Sequence, residues 1–551
     1  MPTLARTLQD HDLGHLRIVA ELWGLAVPAG TAVEAAAALA RAMLEPGLAT
    51  EIAQTLPPRP RAALDALLER GGRRPLAELT WRFGPLRAIG PARRDREKPW
   101  RDPEAALDGL WYRGLIGRAF FDTPTGPQEF AFLPDEILEA LRPLTPSTPP
   151  PPPPTSPPPV VHAAGGAAED AVTILAALRR RPLRPEALTS ARAIALRSFL
   201  VHPESLELLV QLLRHLGVIG ESPLRPDPAR TRDLLAQSAP VVEDALFAAW
   251  KATPHHNDLA ATPGLAAPKG RWPNDPTTSR AALLMVLATW PVGSWHTIEA
   301  FVADLRQRHP TFLRPGGDFD SWLLEDTAGG RILRGWGEWE SVEGRLLRYV
   351  LRGPLHWLGA VDLGAETSGI PPTHFRIRFD LAGARPSAQP ASAPPPARLA
   401  ADGRVFFPRH ATPANRYQVA RFAEWLRRDP AGYLYRVSPR ALTAAAGQRV
   451  DAARVLTILE HAAARAVPEP LRQAILRWAR YGSEAALERG LVLRVASPEI
   501  MRRLRSEPAT RRYVDEVLGP TTALIRPQHV EALLAAAARS GLLIDPPQGQ
   551  E

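Results

Sequence analysis

The chain is 551 residues long, 45% hydrophobic and 23% charged, which is enough apolar material for several buried cores and excludes a disordered protein. It contains no cysteine, so disulfides, thiol nucleophiles and Cys-ligated zinc sites are excluded, and its net charge of +9 is spread over the whole length as a mild pull towards polyanions. No apolar run approaches a membrane helix, the longest being ALLMVLATW at 282–290, and no secretory pattern opens the chain, so a cytoplasmic location is expected.

Residues 1–142 read as a helical hairpin followed by a winged helix. The hairpin pairs LGHLRIVAELWGL with AVEAAAALARAML across AVPAGT; its second helix opens on Thr31 and Glu34 rather than on basic residues, so packing is expected rather than SAP-type DNA binding. Over 60–140, RAALDALLERGG, LAELTWRFG and DPEAALDGLWYRGL supply three helices, the third starting at Asp102, and IGRAFFDTPTGPQEFAFLP supplies a two-stranded wing. Between the second and third helices an expected loop gathers Arg87, Arg93, Arg94, Arg96, Lys98 and Arg101, with Arg118 in the wing, a composition suited to phosphate contacts. The third helix carries Asp102, Glu104 and Asp108, which would repel a DNA backbone, so DNA binding and protein binding both stay open for this module.

A proline-rich linker spans 143–164; its polyproline run at 143–159 is extended over roughly 50 Å at about 3.1 Å per residue and separates the first module from the rest. Residues 165–365 hold a second winged helix, with the basic run RRRPLRP ahead of a third helix that carries Glu204 and Glu207, and then a Trp-rich helical unit. There Trp250, Trp290, Trp295, Trp322, Trp336, Trp339 and Trp357 fall at apolar helical positions and are expected in the core. A strand at 366–383 alternates Phe375, Ile377, Phe379 and Leu381 inward with Arg376 and Arg378 outward, and it is expected to pair with GRVFFPRH across a Pro/Ala linker or loop at 384–398.

Within residues 399–545, the run YRVSPRALTAAAGQRVDAARVLTILEHAAARAVPEPLRQAILRWARYG reads as three short helices in a helix-turn-helix layout. Ser438 is placed to cap the first, Pro439 stands at its first position and Gly447 supplies a left-handed stop; Leu471, Ile475 and Trp478 recur on the third before Gly482. Then come a strand at 491–495, a helix over 498–505, a strand in TALIRP, a helix over 527–539 and a last strand LLI. Through RVSPRALTAAAGQ, PEPLRQAILRWARYG and the tail from LVLRVASPEIMRRLRS to SGLLI, this run resembles the helicase-associated domain at the N-terminal side of bacterial XPB-type DNA repair helicases, without the motor. The resemblance implies an α/β helicase-associated fold over 399–545. Residues 399–551 are expected to fold alone, because the Pro/Ala tract at 384–398 precedes a segment with its own caps and apolar faces. Arg440, Arg449 and Arg454 are its candidate DNA contacts.

The fold class expected overall is mainly α with small β wings (α+β): tandem winged-helix or helix-turn-helix modules and a C-terminal α/β helicase-associated domain. No enzymatic activity and no cofactor are expected. A motor would need a Gly-rich phosphate loop ending in Gly-Lys-Ser/Thr, and the only Lys beside a Gly is Lys269 in APKGRW. His255, His256 and Asp258 are the nearest approach to a metal cluster and are expected to be surface polar residues. Two functions follow: a non-catalytic DNA-binding or helicase-accessory protein in repair or transcription, with DNA and a separately encoded helicase or nuclease as partners, or a winged-helix protein-interaction scaffold that does not touch DNA.

Overall fold

The computed structural model describes residues 1–26, 30–87, 89–123, 126–142, 152–267, 274–314, 319, 322–381, 394–482 and 491–545. They are mainly helical with small antiparallel sheets, an α+β architecture. The chain divides into two compact units: Met1–Val450 with Thr457–Val467, and Asp451–Leu456 with Pro468–Glu551.

In the first unit, the N-terminal hairpin and the helices after it share one core. Helices Leu13–Trp23 and Ala32–Met43 are started by Asp12, whose carboxylate accepts the His15 N–H, and by a capping box between Thr31 and Glu34. Their Leu16, Val19 and Leu39 pack with Leu64 and Leu67 of helix Pro58–Leu68, Leu107 and Leu110 of helix Ala106–Trp111, and Leu133. Strands Arg73–Pro75, Gly126–Phe132 and Gly117–Thr123 form a sheet in that spatial order beside helix Leu76–Phe83. The expected loop before the third helix instead contains a helix, Pro91–Glu97, started by Pro91 at its first position and ended by Lys98 in the left-handed conformation.

This module is not held apart by a spacer. Trp81 stacks on Trp336 with ring centroids 3.6 Å apart, and Arg70 Nη2 reaches His309 Nδ1 at 2.6 Å. Residues 143–151 of the proline tract lie outside the described residues, but the rest of it is docked. The Thr155 N–H donates to the Trp295 carbonyl at 2.7 Å, Pro158 is buried, and Val160–His162 is an edge strand on Val361–Ala365. Gly364 permits that approach, since a Cβ there would lie 2.1 Å from Pro158 Cγ.

The sheet continues through His374–Ile377 to Trp295–Thr297. Phe375, Ile377, Phe379 and Leu381 are buried as the alternation requires. The neighbour of this strand is not GRVFFPRH, which lies in a separate sheet; residues 382–393 between them are outside the described residues. Of the tryptophans expected inside, all but the half-buried Trp336 are in the core. His256 and Asp258 are buried too, not at the surface: Asp258 accepts from Arg280 Nε at 2.6 Å and from Trp250 Nε1 at 3.0 Å, with His256 Nε2 at 3.6 Å.

Strands Arg398–Leu399, Arg404–Pro408, Gly432–Arg436 and Glu424–Asp429 form the next sheet in that spatial order, and helix Pro413–Ala420 binds it to helix Ala167–Arg180. Arg416, 4% exposed, makes the joint. Its Nη1 donates to Thr173 Oγ1 at 2.9 Å and to the Tyr435 hydroxyl at 3.3 Å, its Nη2 donates to the Glu169 carbonyl, and its guanidinium lies 3.9 Å from the Tyr433 ring centroid. Residues 399–450 thus pack with the first unit. Ser438 caps helix Pro439–Gly447, but Gly447 lies inside it and the left-handed residue is Arg449, at φ 61°.

The second unit has a small core of its own, Leu493, Leu504, Ile525, Leu533 and Ala537, under a sheet in the spatial order Leu491–Arg494, Thr522–Ile525, Glu516–Gly519. Helix Glu469–Tyr481 buries Leu471 and Ile475 and ends at Gly482, at φ 77°. Residues 542–544 form no strand, and Leu543 is 89% exposed. Because removing Arg416 takes away the buried donor to Thr173, Tyr435 and the Glu169 carbonyl and leaves a cavity, Arg416→Ala should destabilise the first unit by about 3 kcal/mol in urea unfolding. A 399–551 fragment, cut off from Glu169 and Thr173, should lack the cooperative transition of its 399–450 part; a full native-like transition there would contradict this packing.

Candidate nucleic-acid interface

The basic residues near the first sheet divide into bound and open ones. Arg87 is bound: its Nε meets Asp108 Oδ2 at 2.6 Å and its Nη1 meets Glu104 Oε2 at 2.6 Å. Hydrogen bonding to Asp108 raises its already high pKa. Asp108 is 1% exposed and therefore offers no repulsion at the surface. Arg94 is bound as well, at 4% exposed, with Asp12 Oδ2 at 2.7 Å and Asp95 Oδ1 at 2.9 Å. It tethers helix Pro91–Glu97 to the start of helix Leu13–Trp23, so it is not a phosphate contact and its removal is not neutral for folding. Arg93, Arg96, Lys98 and Arg101 are exposed, although Arg93 Nε pairs with Glu97 Oε1 at 2.8 Å, and Arg118 is half exposed on its strand.

A stronger basic feature lies elsewhere in the first unit. A groove of about 750 Å³ runs between helices Ala167–Arg180 and Ala191–Arg197 on one side and residues 422–426 with helix Pro439–Gly447 on the other. Arg180, Arg181, Arg192 and Arg440 converge on it, and none has a carboxylate within 4 Å among the described residues. Arg180 Nη1 holds the Ala423 carbonyl at 2.7 Å, and Arg192 donates to the Arg181 carbonyl. Burial lowers the pKa of both Arg180 and Arg192; neighbouring arginines add to this, and Glu424 acts against it at Arg180. Arg440 stands in the first turn of its helix, so the positive end of that helix adds to the field.

The walls are low because Ala177, Ala195, Ala441, Ala444 and Gly447 line them. Phe199 and Trp425, both half-buried, meet edge to face at 5.2 Å within the groove. Trp425 Nε1 is fixed to the Ala420 carbonyl at 2.7 Å, and Arg180 lies 5.8 Å from the Trp425 ring centroid. The one acidic residue lining the groove, Glu424, accepts from Ser438 Oγ at 2.7 Å.

Of the sequence candidates, Arg440 alone reaches this groove. Arg449 is exposed beyond its helix, and Arg454 is exposed on helix Ala452–Ala463, within the segment Asp451–Leu456 of the second unit. Phe199, Trp425, Arg180, Arg181 and Arg192 carried no signal as a site. The run RRRPLRP marked charge at 179–185, but only folding sets it opposite Arg440. Lys269 lies outside the described residues. Among the described residues no group of His, Asp and Glu could hold a metal ion, and no helix is long and apolar enough to cross a membrane.

Residues 398–518 match a family described as the helicase conserved C-terminal domain, so the chain carries a helicase-associated domain. No curated protein matches the chain.

Two outcomes test the division of labour near the first sheet. Arg94→Ala should cost about 2 kcal/mol in denaturant unfolding, discounted from a fully buried pair because Asp12 is half exposed, whereas Arg96→Ala should change stability by less than about 0.5 kcal/mol. Equal effects would remove the distinction. Nearby, His11 and His15 stack at 3.9 Å beside Trp111, and burial lowers their pKa to about 4 and about 3. The unfolded chain takes up these protons near pH 6.5, so their contribution is present above that value and is lost as pH falls towards 4. Unfolding free energy should drop between pH 7 and 5 by up to about 2 kcal/mol per histidine, and His11→Asn should flatten the dependence; an unchanged slope in the variant would contradict the burial effect.

Proposed function

We propose that this protein is a non-catalytic DNA-binding accessory of a separately encoded helicase or nuclease, acting in repair or transcription. The observation that carries the reading is the groove where Arg180, Arg181, Arg192 and Arg440 converge without carboxylate partners, since most other arginines near candidate surfaces are already paired. One wall of it comes from 398–518, the residues that match the helicase conserved C-terminal domain family, which supports the reading. The resemblance of 399–545 to the N-terminal side of bacterial XPB-type repair helicases supports the accessory role, and the missing phosphate loop supports a protein that does not turn over ATP.

The order helix, strand, three helices and two-stranded wing over 58–132 supports reading the N-terminal module as a winged helix, with Pro91–Glu97 as an extra helix. Three helices over 167–215 with bridges Leu183–Leu224 and Ile219–Pro226 support a second. The scaffold alternative rested on acidic third helices, and it is weakened because Asp108 is buried against Arg87 and Glu207 pairs with Arg197.

Forked DNA titrated with the full chain over about 50 to 200 mM salt should show affinity falling steeply with salt, each neutralised phosphate contributing about 0.9 to the log–log slope. Arg181→Ala with Arg440→Ala should flatten that slope by up to roughly 2 units. ATP hydrolysis by the isolated chain, or salt-independent binding, would sink the reading.

A further inference from the structure

We propose that the groove between helices Ala167–Arg180 and Pro439–Gly447 takes single-stranded nucleic acid, its phosphates on Arg180, Arg181, Arg192 and Arg440 and a base against the Phe199–Trp425 pair. The inference rests on the DNA-binding reading and names the form of nucleic acid that the site selects.

Shape excludes a duplex from the groove. A protein reads duplex DNA by pushing a convex element, a helix or a strand pair, into a groove about 12 Å wide. Here the protein surface is the concave partner, and its volume of about 750 Å³ is that of a small-molecule site. A duplex could rest only on the rim, with its bases stacked inside and out of reach of the aromatic floor. A single strand presents its bases, and sites for it combine a cationic track with aromatic side chains on which any base can stack.

Both parts are present, and their placement is consistent. Arg180, Arg181 and Arg440 are exposed along the walls, Arg192 is half-buried, and Phe199 with Trp425 lies among them. Arg180 is near enough to the Trp425 ring to hold a stacked base from its charged side as well. Glu424 disfavours a phosphate beside Trp425, which leaves that end to the uncharged base. An anion bound here would offset the burial, and the neighbouring arginines beside it, that lower the pKa of Arg180 and Arg192. Trp425 cannot swing away, because its ring nitrogen is tied to Ala420.

The test uses the full chain and fluorescence anisotropy with three probes of about a dozen nucleotides each: oligo-dT, a blunt duplex, and an abasic deoxyribose-phosphate oligomer. Oligo-dT should bind at least about tenfold tighter than the other two. Arg181→Glu with Arg440→Glu, both at exposed positions, should weaken oligo-dT binding at least about tenfold, and Phe199→Ala should weaken it at least about fivefold while leaving the abasic oligomer unaffected. Thermal unfolding of each variant checks that the fold is kept, and the charge-reversal pair serves if Phe199→Ala is destabilised. Equal binding of oligo-dT and the abasic oligomer, or duplex binding as tight as oligo-dT, overturns the single-strand inference and leaves the DNA-binding reading standing. Unchanged oligo-dT affinity in the charge-reversal pair overturns the groove as its site. No binding of any probe removes both readings.

Discussion

Arg416 is the constraint on which the first unit's second half depends. An ionised guanidinium taken out of water must have its donors satisfied and its charge balanced, and here the Glu169 carbonyl, Thr173, Tyr435 and the face of Tyr433 do so together. Glu169 is used a second time, accepting from Arg409 Nε at 3.2 Å and from the Tyr433 hydroxyl at 3.2 Å. This fixes the sheet of 398–436 against helix Ala167–Arg180, two elements more than two hundred residues apart in sequence. The groove exists because of that fixation, since one wall comes from each side of it, and Arg180 links the two walls by holding the Ala423 carbonyl.

In a chain this rich in arginine, the location of the guanidinium groups says less than what each is bonded to. Arg74, Arg87, Arg94, Arg280 and Arg314 are paired with carboxylates and serve the fold. The four in the groove have no carboxylate within 4 Å among the described residues and are bonded at most to backbone carbonyls, with Glu424 near Arg180 as the opposite charge in the lining. Such unneutralised positive charge in a concave site focuses the field and raises the local concentration of anions.

Local signals in the sequence were legible where the chemistry is local. The Ser438 cap, Pro439 at the first helical position, the alternation of Phe375, Ile377 and Phe379, and the stop at Gly482 are each set by a few neighbouring residues, and the helices and strands follow them. Tertiary choices were not legible. GRVFFPRH and 373–381 both read as half-buried strands, and nothing in their patterns says that they join different sheets. The proline tract read as a spacer because composition does not reveal that Gly364 leaves room for Pro158. Helix Pro91–Glu97 was hidden by its charge, and the burial of Arg94 depends on Asp12, some eighty residues earlier. The groove was the least legible of all, because its arginines and aromatic residues come from four separate segments.

Amide hydrogen–deuterium exchange of the full chain, with and without oligo-dT, tests the central claim most directly. If the groove is the nucleic-acid site, protection should appear together in two segments remote in sequence, 177–199 and 422–448, and Arg181→Glu with Arg440→Glu should abolish it. Protection confined to 91–101 and the strand around Arg118, or absent from both groove segments at saturating oligonucleotide, would contradict the account.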